Sequence, residues 1–199
     1  MRPKANATFI LTLTALLSWG CSAQRQVSYQ DPTKVETLTE SFGSTDLQGI
    51  SERMVSSLVR LPQIAEGSRP VVQVSTVKNK TTEHIDTKSI TDKIRTALVK
   101  TGMVRFTATS DASDELIGTL DYQQGSGLVS PSTRKKIGKQ VGADYLLYGE
   151  IDSIVKRSGR TSDVYYKFTL NLVDIESGLI EWSDEKEIRK EANRPLFGV

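Results

Sequence analysis

The chain has one histidine, His84, set between Glu83 and Asp86 in the run KNKTTEHID. A carboxylate beside an imidazole can serve as a general base pair. That chemistry also needs a nucleophile or a second metal ligand, and no further histidine exists to supply one. The plainer reading is a solvated loop histidine. Glu150 and Asp152 flank Ile151 and would share one face of a strand, as a pair of catalytic carboxylates could; exposed strand carboxylates of structural origin look the same. No GxGxxG, Walker A, GxSxG or HExxH motif occurs. The missing motifs argue only moderately against an enzyme, since a carboxylate-dependent hydrolase carries no short signature, and no residue pattern calls for a cofactor, metal or small-molecule substrate.

The single cysteine, Cys21, follows Arg2, Lys4 and an uncharged, mostly apolar run from Ala5 to Leu17. That order is the layout of an export signal, and about 13 apolar residues fall short of the roughly 20 that cross a bilayer. A lone cysteine has no partner for an internal disulfide. Gly20-Cys21 at the end of such a signal resembles the bacterial lipobox, with Trp19 bulkier than the residue usual there. The resemblance implies that diacylglycerol is attached to the Cys21 thiol, that residues 1–20 are removed, and that a palmitate-type acyl chain is added. Ser22 stands where inner-membrane retention reads aspartate, which implies an outer-membrane lipoprotein facing the periplasm, held firmly by three acyl chains.

Loss of residues 1–20 removes Arg2 and Lys4 and no acid, leaving 24 side chains of each sign. A balanced chain has no overall electrostatic drive towards nucleic acid, and the tyrosines Tyr145, Tyr148, Tyr165 and Tyr166 read as sheet packing. Two basic groups remain as candidate contacts for an acidic partner: Arg134, Lys135, Lys136 and Lys139, and the trio Lys156, Arg157 and Arg160. Leu128, in the glycine-flanked run Gly125 to Ser130, joins the first group.

These residues require elements to position them. Residues 21–44 are polar and aperiodic and read as a lipidated N-terminus with a flexible tether, about 80 Å if fully stretched and about 25–30 Å as a coil. Residues 45–199 read as one globular domain. The spacing of Leu47, Ile50, Met54, Leu58 and Leu61 predicts a helix over 45–61, closed by Pro62. Val71 to Val77 predicts a strand from Pro70, and Ile90, Ile94, Ala97 and Leu98 a helix over 87–101 with Gly102 as its left-handed stop. A short strand over 104–108, a helix over 110–121 on Leu116, Ile117 and Leu120, and a helix from Ser130-Pro131 to Gly142 follow. Strands are expected over 144–155, 164–174 and 179–188. In the second of these, Val164, Tyr166, Phe168, Leu170 and Leu172 alternate with polar residues. The fold class is α+β, a mixed β-sheet packed by helices.

Two stretches, Val77 to Gly102 with NKTTEHIDT and Gly125 to Ile151 with IGKQVGADYLLYGEI, resemble the LpoB family of outer-membrane lipoproteins; the likeness spans about Thr45 to Ile188. GADYLLYGEI is also similar to the TolB N-terminal-like domain and to CsgG-like proteins, which speaks to the fold. The family resemblance implies a non-enzymatic activator of a class A penicillin-binding protein, acting in peptidoglycan biosynthesis and cell shape from a membrane anchor. Enteric members have a longer, proline-rich tether, whereas Ser22 to Ser44 contains only Pro32. The alternative is a structural or secretion-associated periplasmic lipoprotein on the same fold.

Overall fold

The computed structural model describes residues 27–194, so Cys21 and the segment 1–20 lie outside the described residues. Residues 33–194 belong to one compact unit and are treated together below.

The first apolar stripe forms α1 (Ser44–Leu58), which fully buries Ile50, Met54 and Leu58. The helix ends earlier than its periodicity suggests, and Pro62 opens rather than closes a turn: it is the first residue of the short α2 (Pro62–Ala65). Proline suits that position, where its missing N–H costs nothing.

The expected strand from Pro70 divides into β1 (Val71–Val74) and β2 (Lys78–Lys80). Both run parallel to the same edge of β4 (Tyr145–Ser158). Val74 pairs with Leu147 and Lys78 with Glu150, so the β1–β2 side holds one residue more than β4 over the same span. A bulge of this kind turns Val77 into the core. Because β2 is KNK, fully exposed, no apolar alternation announced it.

The helix expected over 87–101 is present as α3 (Thr87–Thr101), and it buries Ile90, Ile94 and Leu98. Asp86 caps its first turn by accepting from Ser89 N at 3.1 Å, and Gly102 ends it at φ 71°. β3 is only Arg105–Phe106, parallel to β1. α4 (Ser110–Gly125) runs past the expected end and buries none of its residues: Leu116 and Ile117 are exposed.

The helix expected from Pro131 to Gly142 does not form; residues 126–144 are turns and irregular chain. Its apolar face would have been Ile137 and Val141, which are both exposed. Gly138 adopts φ 75°, and like charges from Arg134 to Lys139 would repel along a helix.

β4, β5 (Thr161–Asp174) and β6 (Ile180–Asn193) are long antiparallel neighbours. The sheet order is β3-β1-β4-β5-β6, with β2 also on β4, which makes the sheet mixed. Alternation fixes its faces. Val164, Tyr166, Phe168, Leu170 and Leu172 point inward with Leu147 and Ile151 onto α1 and α3, and all are buried. Glu150, Asp152, Tyr165 and Lys167 lie on the outer face. A bulge between Leu172 and Val173 sets Ile180 opposite Val173, so Ile180 faces outward while Trp182 packs on the core. The expected shared face of Ile180 and Trp182 is thereby broken.

Candidate functional site

The residues that could do chemistry are occupied elsewhere. His84 is exposed. Asp86 is spent on the α3 cap. Glu83 turns away into a buried network. On the outer face, Lys80 meets the Glu150 carboxylate at 2.6 Å and holds it below the usual carboxylate range. A general acid needs the opposite shift. Among the described residues no group of three or more acidic, histidine or cysteine side chains could hold a metal.

The basic candidates lie in the irregular segment after α4. Arg134 serves the loop itself, with Nε donating to Val129 O at 3.0 Å and Nη1 to Gln124 O at 3.3 Å. Gln124 Nε2 donates to Lys135 O, and Lys135 N to Gln123 Oε1, so the loop is laced onto the end of α4. The side chains of Lys135, Lys136 and Lys139 are exposed, as is Leu128 at 77%. Lys156, Arg157 and Arg160 sit at the β4–β5 hairpin tip, at the other end of the sheet.

Sequence reasoning missed a clasp for the end of the tether. Residues 40–43 lie across the inner face of the β5–β6 pair. The Tyr166 hydroxyl donates to Glu40 O at 3.0 Å and also to the Glu83 carboxylate, which accepts from Phe42 N at 3.1 Å. Lys190 Nζ reaches Ser41 O at 2.6 Å and Asp46 at 2.5 Å, and Asp46 in turn accepts from Gly43 N at 2.8 Å. The Phe42 ring meets Tyr166 edge-on at 6.0 Å. Burial, reinforced by Glu83, pushes the Tyr166 phenol well above its ordinary range. Phe42 at the end of a polar run was the one available sign, but its partners Tyr166 and Lys190 lie far along the sequence.

The ion pairs bordering this body give it an acid dependence. The Asp163 carboxyl is held low by Arg189, Asp92 by Lys88, and Asp174 by Ser177 N–H. For Asp184, burial acts upward, but Arg53 and Ser57 outweigh it and the net shift is down. Folded-state values below the unfolded ones mean that the stability these groups add is complete above about pH 4 and lost as pH falls through the depressed values. Urea midpoints should therefore be level from pH 7 to about 5 and fall below about 4, each exposed pair adding little alone. A midpoint that rises on acidification would contradict this.

Residues 46–188 match the family model described as peptidoglycan-synthase activator LpoB. Among solved structures, the LpoB C-terminal domain from Salmonella enterica is 20% identical, with 73% of this chain and 99% of that chain covered and a TM-score of 0.45. The domain from Escherichia coli is 19% identical, covering 72% of this chain and 98% of that one, with a TM-score of 0.41. Lipoprotein GNA1162 from Neisseria meningitidis is 15% identical over 63% of this chain and 86% of that chain, with a TM-score of 0.41. No curated protein matches the sequence significantly.

Proposed function

Because the chain belongs to the family of the peptidoglycan-synthase activator LpoB, we propose that it is an outer-membrane lipoprotein that binds a class A penicillin-binding protein and raises its activity. The observation that carries this reading is the extent of the family match, from Asp46 to Ile188, which takes in almost the whole packed body. The body acts by binding: an activator shifts its partner only by holding the active state more tightly than the inactive one. Leu128, Lys135, Lys136 and Lys139 are exposed and offer contacts to such a partner, while Arg134 shapes the loop that presents them.

Anchorage is assigned to Cys21 on the likeness of Gly20-Cys21 to a lipobox; no helix among the described residues is long and apolar enough to cross a membrane. The chain ahead of the body is fastened at Glu36, whose N donates to Thr45 Oγ1 at 3.3 Å and whose Oε1 accepts from Thr45 N at 3.2 Å, as well as over residues 40–43.

The test is glycan-strand polymerisation by the purified cognate synthase, with and without the full-length chain in detergent. Faster polymerisation with the chain present is expected. No stimulation at a saturating concentration would reject the activator reading, and turnover by the chain alone would favour a hydrolase. Metabolic labelling with a fatty acid should mark the wild type and not Cys21→Ala; absence of label in both removes the anchor.

A further inference from the structure

Helix α4 has 16 residues and buries none of them. A helix of that length is marginal in water unless one of its faces is packed. Ser113, Leu120 and Gln123, on the side turned towards its own chain, are no more than half-buried. Exposed apolar side chains gather on this helix and on the loop that follows it. Of the 11 large ones exposed between Ser44 and Asn193, six lie here: Leu116, Ile117, Tyr122, Leu128, Ile137 and Val141.

Charge divides cleanly between the two segments. α4 holds Asp111, Asp114, Glu115 and Asp121 and no base, whereas residues 126–143 hold Arg134, Lys135, Lys136 and Lys139 and no acid. Asp114, Glu115, Asp121, Lys135, Lys136 and Lys139 form no ion pair among the described residues. Asp114 and Asp121, seven residues apart, share the outward face of the helix, with Gly118 between them and Ile117 and Tyr122 to either side. A β-carbon at Gly118 would meet nothing within 4 Å, so this face is open. The basic loop is laced to the far end of the helix through Gln123 and Gln124, about 14 Å along the axis from Asp114. One chain therefore carries an acidic, apolar face and a basic, apolar loop and does not join them.

We propose that these surfaces meet between two copies of the chain: the outward face of α4 in one copy packs on the basic loop of the other, with Asp114 and Asp121 opposite Lys135 and Lys136 and with Ile117 and Tyr122 against Leu128 and Ile137. A two-fold axis makes the contact twice and closes the pair. Charge complementarity selects a second copy as the occupant, because the complement each surface lacks, in sign and in apolar content, is present on this same chain. The pairing does not depend on the activator reading. It bears on that reading in one respect: a paired copy withholds from a synthase the lysines offered to it above.

Sedimentation equilibrium of the full-length chain in density-matched detergent tests the pairing. The wild type should form a dimer that weakens as salt rises. Asp114→Lys with Asp121→Lys, and separately Lys135→Glu with Lys136→Glu, should each weaken self-association about tenfold or more, since both put like charges opposite each other. Mixed in equal amounts, the two variants should pair with one another, because the first is basic on both surfaces and the second acidic on both. Each variant should keep the far-ultraviolet circular dichroism of the wild type, which separates loss of contact from loss of fold. A wild type that stays a single chain at about 1 mM overturns the proposal. A dimer that neither variant weakens, or folded variants that separate alone and do not pair when mixed, would do the same by placing the contact elsewhere. A single-chain wild type whose binding to the purified synthase both variants weaken assigns the two surfaces to the synthase instead, and also overturns it.

Discussion

Replacing Gly149 by alanine is expected to cost about 3 kcal/mol of stability, the upper part of the range for forcing atoms into a packed core. A β-carbon at this position would lie 2.2 Å from Thr169 O and 3.0 Å from Leu170 Cδ1. The first is backbone and cannot swing aside. β4 and β5 would have to part at a buried point between Leu147 and Ile151, where the inner face meets the helices. The sequence GADYLLYGEI holds this glycine inside a strand, where it otherwise weakens pairing; close approach of the neighbouring chain is the physical reason for it. Urea unfolding followed by circular dichroism measures the loss. A change within about 0.5 kcal/mol, the range of ordinary surface substitutions, would contradict the packing described.

The second large effect is expected at the clasp. Lys190→Met leaves the Asp46 carboxylate, 8% exposed, without its cation, and removing one partner of a buried pair costs about 3 kcal/mol. Gly43 N–H still reaches Asp46, which moderates the loss. Adding Asp46→Asn to Lys190→Met should recover much of the stability, because the uncompensated charge is then gone. The two single effects should therefore fail to add. Lys190→Met also frees Ser41 O, so cleavage after Glu40 by a glutamate-specific protease should be many times faster than in the wild type. Additive energies together with unchanged cleavage would show that the strap is not held there.

Much of this fold was legible because its long elements obey a single period. Ile90, Ile94 and Leu98 marked α3 to its ends, with Gly102 supplying the left-handed stop, and Val164 to Leu172 marked the central strand by strict alternation. Reading failed where structure depends on contacts distant in sequence. β2 has no apolar pattern and exists because β4 offers an open edge. The stretch after Pro131 had a proline start and a glycine stop, yet only Ile137 and Val141 to bury, and those signals do not hold a helix without a face.

The candidate site shows the same division. The basic loop could be found from composition, but its exposed lysines and its inward-turned Arg134 could not be told apart without the hydrogen bonds to Val129 and Gln124. The bulge at Leu172 and Val173 moves Ile180 off the face its spacing from Trp182 suggests. The clasp needed Tyr166 and Lys190 to meet a segment that reads, alone, as tether.

The account proposed above is of a lipid-tethered body that binds a peptidoglycan synthase and favours its active state. The most direct measurement is the initial rate of glycan polymerisation by the purified synthase, titrated with the wild-type chain. The account predicts a saturable rise with the wild type. A rate that stays flat at every wild-type concentration would contradict it.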